Sequence, residues 1–361
     1  MRVILAFIIL FPALTFSQVR KYSNDFMSIG TSARARGMSN AVVASQKDVF
    51  AAYWNPANLT QINKNYEIGG LHADYFAGSA GYDYVGAAAK TEDGVLAVSF
   101  LRYGVDDIPN TLNLIGPDGQ VDYSRITFFS TSDNVFMVSY ATDSKIEGLS
   151  LGGSAKVVYR QLGDFAQSWG FGIDFSSTYR SGFWSFAAVG KDITTTVNAW
   201  TYSLTDEEQA VLESTGNDLP QDDIEITAPS LILGAARSIP IGRNFELVPE
   251  IDVECTFDGQ RTTLIRSEFA SINPRVGIET GFMNLVYLRM GVGNFNMVPA
   301  RVGDYNTLQA NGSIGIGLQL KDLFNAGNLS IDYALTNFSD SGSPFYSNVF
   351  SLQFAFGNEA Q

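Results

Sequence analysis

VFSLQFAFG, residues 349–357, places Phe350, Leu352, Phe354 and Phe356 at alternate positions, with Ser351, Gln353 and Ala355 between them. A period of two is the signature of a β-strand with one oily and one wet face. LSIDYALTN at 329–337 repeats the pattern, Leu329, Ile331, Tyr333 and Leu335 opposing Ser330, Asp332, Ala334 and Thr336. In FELVPEIDVECT at 245–256 an apolar side of Leu247, Ile251, Val253 and Cys255 opposes Glu246, Glu250, Asp252 and Glu254.

Working outward from these three, alternation marks about fourteen strands: 66–75, 81–90, 94–103, 132–141, 150–160, 167–177, 182–191, 226–236, 245–256, 268–280, 284–293, 311–320, 328–337 and 347–357. Many exceed the five or six residues usual in soluble strands and match the roughly nine to eleven needed to cross a bilayer at a tilt. Connections carry a second signal. TEDG at 91–94, TYRSG at 178–182 and ETGFMN at 279–284 are short turns, whereas 104–131, 192–225 and 294–310 are long. Short turns at one end and long loops at the other characterise an outer-membrane barrel with its short turns in the periplasm. The expected fold is therefore all-β: a transmembrane antiparallel β-barrel of about 14 strands over 63–361, closed because an open edge in lipid would leave backbone groups unpaired. A soluble sandwich or solenoid is the alternative, but no repeat period is visible. Aromatic residues near strand ends, among them Tyr66, Tyr75, Phe100, Tyr103, Tyr140, Trp169, Phe183, Trp184, Tyr287, Phe338 and Phe345, suit an interfacial girdle.

The chain opens with Arg2 and the apolar run VILAFIILFPALTF, then Ser17. This reads as an export signal over 1–17, the alternative being a membrane anchor. The net charge of −14 offers no basic surface for nucleic acid. Cys255 is the sole cysteine, so no intramolecular disulfide forms, and its strand pattern points to burial. One histidine, His72, lies in the first strand, and HExxH, CxxC, P-loop and dinucleotide fingerprints are missing. No catalytic residue, cofactor or metal site is expected, and the protein is read as a non-enzyme. Glycine is abundant, at 34 residues; Gly69-Gly70, Gly152-Gly153 and GSIGIG at 312–317 would permit curvature or close approach by an internal plug.

Residues 18–62 precede the barrel and would start in the periplasm. SARARGMSNAVVA combines small residues with Met38, Val42 and Val43, and QKDVFAAYWNPANL carries Val49, Phe50, Tyr53, Trp54 and Leu59 at helical-turn spacing. Pro56 limits the helix and biases Asn55 away from it. The expectation is a hatch pinned by Trp54; a tail folded under the barrel is the alternative.

SIGTSARARGMSNAVVASQKDVFAAYWNPANL resembles the N-terminal signature of the PorV/PorQ family of Bacteroidetes outer-membrane proteins, related to the long-chain fatty-acid transporter barrels. The matching positions are Ala33-Arg34, Gly37-Met38, Ala41–Ala44, Asp48 and Trp54-Asn55-Pro56-Ala57. The resemblance implies a fourteen-stranded barrel with a hatch (Arg34, Gly37, Met38, Asp48, Trp54, Asn55, Pro56) in the cell outer membrane, and a role in type IX secretion. Its partners would be outer-membrane lipid, the type IX translocon and cargo C-terminal signal domains, but no nucleic acid. An adaptor of that kind would recognise cargo through apolar residues of its outward loops, namely Ile108, Leu112, Leu114, Ile115, Trp200, Tyr202 and Leu204. The competing mechanism is a channel for hydrophobic small molecules, with a moving hatch or a lateral exit where a wall strand breaks, for which 312–317 is the best local candidate.

Overall fold

The computed structural model describes residues 22–115, 119–299, 306–323, 325–337 and 346–359. Residues 1–17, expected to be an export signal, and the aromatics Phe338 and Phe345 lie outside the described residues.

Fourteen antiparallel strands form a closed barrel: β1 Lys64–Tyr75, β2 Ala80–Lys90, β3 Val95–Asn110, β4 Thr127–Asp143, β5 Leu149–Leu162, β6 Ala166–Ser181, β7 in two segments (Trp184–Lys191 and Thr196–Tyr202), and β8 in two segments (Asp223–Thr227 and Ser230–Arg237) with Ile239–Ile241 as a short extension. The wall continues through β9 Phe245–Thr256, β10 Ser271–Phe282, β11 Val286–Pro299, β12 Asn306–Leu323, β13 Gly327–Asn337 and β14 Tyr346–Glu359. Each strand pairs with its neighbours in sequence, and β1 closes on β14, Ile68 opposite Phe354 and Leu71 opposite Ser351. The protein is an outer-membrane barrel, and an even strand number returns both ends of the wall to the periplasmic rim.

Alternation decides which side chains meet lipid. On β6, Trp169, Phe171, Ile173, Phe175 and Tyr179 are exposed on the outer face, while Ser168, Asp174, Ser176 and Thr178 are buried within. Tyr66, Phe136, Tyr140, Trp184 and Phe350 likewise face out. Tyr75, Tyr103 and Tyr287 turn inward, away from the girdle expected of them. Tyr75 shares the parity of the buried Leu71 and Ala73, Tyr103 packs on the buried Tyr82, and Tyr287 lines a lumenal cavity. Cys255 is half-buried on the outer face of β9, in line with Ile251 and Val253. His72 also points out, near the outer end of β1, its Nδ1 2.7 Å from Asp83 Oδ1.

Strands rise higher on the loop side than alternation in sequence shows. β3 and β4 continue past a register shift between Val105 and Ile108 to Asn110 and Thr127, and the second segment of β7 with the first segment of β8 extends the wall into the 192–225 connection. That connection also holds one helix, Asp206–Ser214, closed by a capping box of Thr205 and Glu208.

Candidate functional site

The lumen is filled by the N-terminal segment. Ser32 Oγ caps the helix Ala33–Gly37 by accepting from Ala35 N–H; a second short helix, Ala51–Trp54, is stopped by extended Asn55 and followed by the 3-10 turn Pro56–Gln61. No isolated helix of four or five residues is stable in water, so these turns persist only because the wall holds them.

The wall receives the segment through glycine. A Cβ on Gly277 would come within 2.9 Å of Met38 Cβ, one on Gly315 within 3.1 Å of Gly37 Cα, and one on Gly69 within 2.6 Å of Val49 Cγ1. On Gly152 it would stand 2.5 Å from Pro56 C and 2.8 Å from Ala57 Cα. Only a residue without a side chain lets two backbones approach so closely.

Polar wall residues complete the seat. Asp252 Oδ2 accepts from Val42 N–H (2.8 Å) and Val43 N–H (3.1 Å), Glu250 Oε1 accepts from Ala44 N–H (2.6 Å), and Glu67 Oε2 accepts from Val49 N–H (3.0 Å). Asn55 donates to Val43 C=O (2.6 Å) and to Thr178 Oγ1 (2.8 Å), so the corner before Pro56 is bound to both the plug and β6. Arg34 grips Glu279, Nε to Oε2 at 2.9 Å, and Arg289 joins Glu279 (2.6 Å) to Asp332 (2.6 Å). Burial penalises the Arg34 cation, but Glu279 outweighs it and raises the guanidinium pKa above its ordinary value. Burial dominates at Asp48 and pushes its carboxyl up, against the hydrogen bonds from Gln46 and Phe50 N–H.

Trp54 lies at the centre, 2 % exposed, donating from Nε1 to Thr31 C=O at 2.8 Å and covering Gly30. Tyr53 meets it edge-on, and Lys191 of β7 stands over both rings, 4.5 Å from the Tyr53 centroid and 5.4 Å from that of Trp54. Trp54→Ala is expected to destabilise the seated plug by about 3–5 kcal/mol, as for other buried aromatics. Limited proteolysis of the folded barrel checks this: cleavage within the plug should accelerate strongly, and an unchanged rate contradicts the packing role.

The wall breaks next to Lys191. Thr196 pairs with Thr227 and Lys191 with Ser230, so residues 192–195 of β7 face only Ala228 and Pro229 of β8. Asp192 and Thr195 take positive φ, 53° and 63°, and Pro229 has no N–H to give. On unbroken β6 the gap lies at Ile173, whose C=O accepts from Ile193 N–H at 2.9 Å, midway between the outward Trp169 and Tyr179. Ile193 covers the gap outside; inside, Lys156 Nζ bridges Asp174 (2.7 Å) and Asp192 (2.8 Å). The 312–317 stretch is no such break. β12 pairs through it on both sides, and its glycines admit the plug and the Arg289 side chain.

A polar cavity of about 740 Å³ opens below the plug at the short-turn end, lined among others by Arg34, Asp48, Glu67, Glu279, Arg289 and Asp332. Among the described residues no group of three or more His, Cys, Asp or Glu is arranged to hold a metal ion. The residues expected to form an outward loop surface are split by the fold. Leu112, Leu114 and Ile115 lie on the β3–β4 connection, Ile115 exposed, with Ile108 at the end of β3 and Leu204 before the loop helix. Trp200 and Tyr202 instead belong to the second segment of β7. Trp200 faces the upper lumen, donating to Glu225 Oε2 at 2.8 Å under the Arg160 guanidinium. Alternation through TVNAWTY marks that strand, but the irregular residues 192–195 interrupt its continuity with the rest of β7.

An outer-membrane barrel with a lumenal plug is the class that this geometry defines. Solved structures sharing the fold include the CymD monoaromatic hydrocarbon channel (TM-score 0.55, 11% identity, 92% of this chain and 98% of that one) and the Pseudomonas putida toluene transporter TodX (0.54, 12%, 90% and 97%). A Pseudomonas aeruginosa FadL homologue is similar too (0.54, 11%, 90% and 98%). No family model and no curated protein matches the sequence.

These likenesses correct the PorV/PorQ reading. Over nine-tenths of its length the chain shares its fold with a monoaromatic hydrocarbon channel, a toluene transporter and a FadL homologue, and the type IX translocon and cargo C-terminal signal domains are withdrawn as partners. The physical reason is visible in the motif itself. Gly37, Met38, Asn55 and Pro56 are buried against the inner wall, where they satisfy the demands of a plug in a glycine-lined lumen and present nothing to a cargo protein.

Proposed function

We propose that the protein is a non-enzymatic channel for hydrophobic small molecules in the outer membrane, closed at rest by its N-terminal plug. The observation that carries this reading is the wall break at 192–195 and Ala228-Pro229, set beside the Tyr53–Trp54 pair. An apolar solute entering from outside meets charged and hydrogen-bonded contacts along the plug and a charged cavity beneath it, where desolvated apolar surface gains nothing. At the break the β7–β8 ladder pairing has already lapsed, leaving Ile193 N–H on Ile173 C=O and the Lys156 bridge to be parted, so a lateral route into the bilayer costs least there. The fold shared with hydrocarbon channels supports the same solute class.

Uptake tests it. Cells lacking the protein and complemented cells are given a radiolabelled monoaromatic hydrocarbon and a long-chain fatty acid at limiting concentration. Faster initial uptake of at least one by the complemented cells is expected. Equal rates for both, with the barrel assembled, would overturn the reading.

A further inference from the structure

The plug is held from the cell-surface side as well as by the wall. Residue 63 joins β1 at the periplasmic rim, and the chain before it climbs the full height of the lumen, so that Tyr22 stands at the opposite mouth beside the connection 257–270 between β9 and β10. Tyr22 N–H donates to Asp258 Oδ2 at 3.1 Å, and the Tyr22 ring lies beneath the Arg261 guanidinium, 4.6 Å from its centroid. Arg261 is fixed in turn by Asp258, Nη2 to Oδ2 at 2.6 Å, and reaches Asp25 at 3.6 Å. Ser23 Oγ and Asn24 Nδ2 both bond Thr227 Oγ1, at 2.7 and 2.9 Å, on the last residue of β8 before its break.

We infer that loop 257–270 is an outer latch, with Arg261 and Asp258 clamping the N-terminal end of the plug against the cell-surface mouth, so that release of the plug is controlled from outside the cell. The composition of the contact supports this. The Asp258 and Arg261 side chains lie beyond the end of β9 and take no part in the wall ladder; the loop is tied to β10 by the short pair Ile265–Arg266 and by the Arg261 backbone N–H, which donates to Ser271 Oγ at 2.8 Å. Burial opposes the charge on Asp258, but the Arg261 fork and the Tyr22 N–H prevail and keep its carboxyl below the ordinary carboxylate pKa, which is the state the clamp requires. Below the latch, Phe26 lies within 5.8 Å of the Arg160 guanidinium, and Met27 C=O accepts from the Tyr53 hydroxyl. The clamped end is thereby linked to the aromatic centre of the plug and, through Thr227, to the wall break. The latch stands independently of the solute the barrel carries.

The test is chemical accessibility in whole cells. In a Cys255→Ser background, Ser23→Cys is exposed to a membrane-impermeant maleimide on intact cells, with Lys321→Cys at the periplasmic end of β12 as the control that labels only after the envelope is ruptured. Ser23 is buried at the outer mouth, so slow labelling from outside is expected. Adding Arg261→Ala should accelerate it about tenfold, the effect of losing one charge-assisted contact on a local opening equilibrium. Arg261→Lys, which keeps the charge and loses the fork, should give a smaller increase, and serves if the alanine variant fails to show heat-modifiable migration. A Ser23→Cys/Thr227→Cys pair should cross-link readily on mild oxidation, and Arg261→Ala should slow that cross-linking. Labelling of Ser23→Cys only after rupture, or an equal rate in all folded variants, would overturn the latch. Failure of solute uptake alone would not touch it.

Discussion

Gly152→Val should unseat the plug while leaving the barrel intact. A valine there drives its branched Cβ into the backbone of Pro56 and Ala57, the corner that Asn55 ties to Val43 C=O and Thr178, and backbone cannot rotate away as a side-chain tip can. Overpacking a tight contact costs about 1–3 kcal/mol where neighbours can shift, and more where the obstacle is main chain. The expected result is raised vancomycin sensitivity in cells carrying the variant, with unchanged heat-modifiable migration of the barrel. Gly70→Val is the matched control. Gly70 neighbours the plug seat Gly69 but faces outward, where an added Cβ meets only Tyr84 C=O at 3.5 Å. Its permeability should equal that of the parent, and a similar rise in both variants would refute the seat.

Asp252→Ala is expected to loosen the plug by a different route. One carboxylate oxygen accepts from two successive plug amides, Val42 and Val43, both fully buried, and its removal leaves both donors without that partner. Leaving buried donors unpaired costs about 1–3 kcal/mol, so local opening should become roughly thirtyfold more frequent. Hydrogen exchange followed by mass spectrometry on the peptide spanning 41–50 reads this directly. Asp252→Asn retains an acceptor oxygen and should sit between parent and alanine. Parent-like exchange in the alanine variant would show that the wall carboxylate does not hold the segment.

Several features of the site were legible before folding was considered. Glycines at 69 and 152 marked close approach in the wall, and the plug sequence announced its small and aromatic residues, because both properties reside in the residue type. Trp200 and Tyr202 were misplaced because a strand interrupted at 192–195 no longer alternates continuously, and alternation is what assigns a strand. The exit assigned to 312–317 failed for a related reason: glycine permits a break, but it equally permits a neighbour, and Gly315 receives Gly37. The PorV/PorQ resemblance rested on one segment whose residues answer to lumenal packing, a constraint that plugged barrels of different duty share.

From the sequence alone came the fold class, the strand number and the two-faced character of the wall strands, since period-two alternation and turn length are local properties that the bilayer converts into a closed barrel. The depth of the plug, the pairing of Asp252 with its amides, the break opposite Ile173 and the clamp of Arg261 on Tyr22 were decided only by tertiary structure. Each joins residues apart in the chain, as Arg34 and Glu279 are by 245 positions, and whether two such groups meet depends on register and tilt summed around the whole barrel.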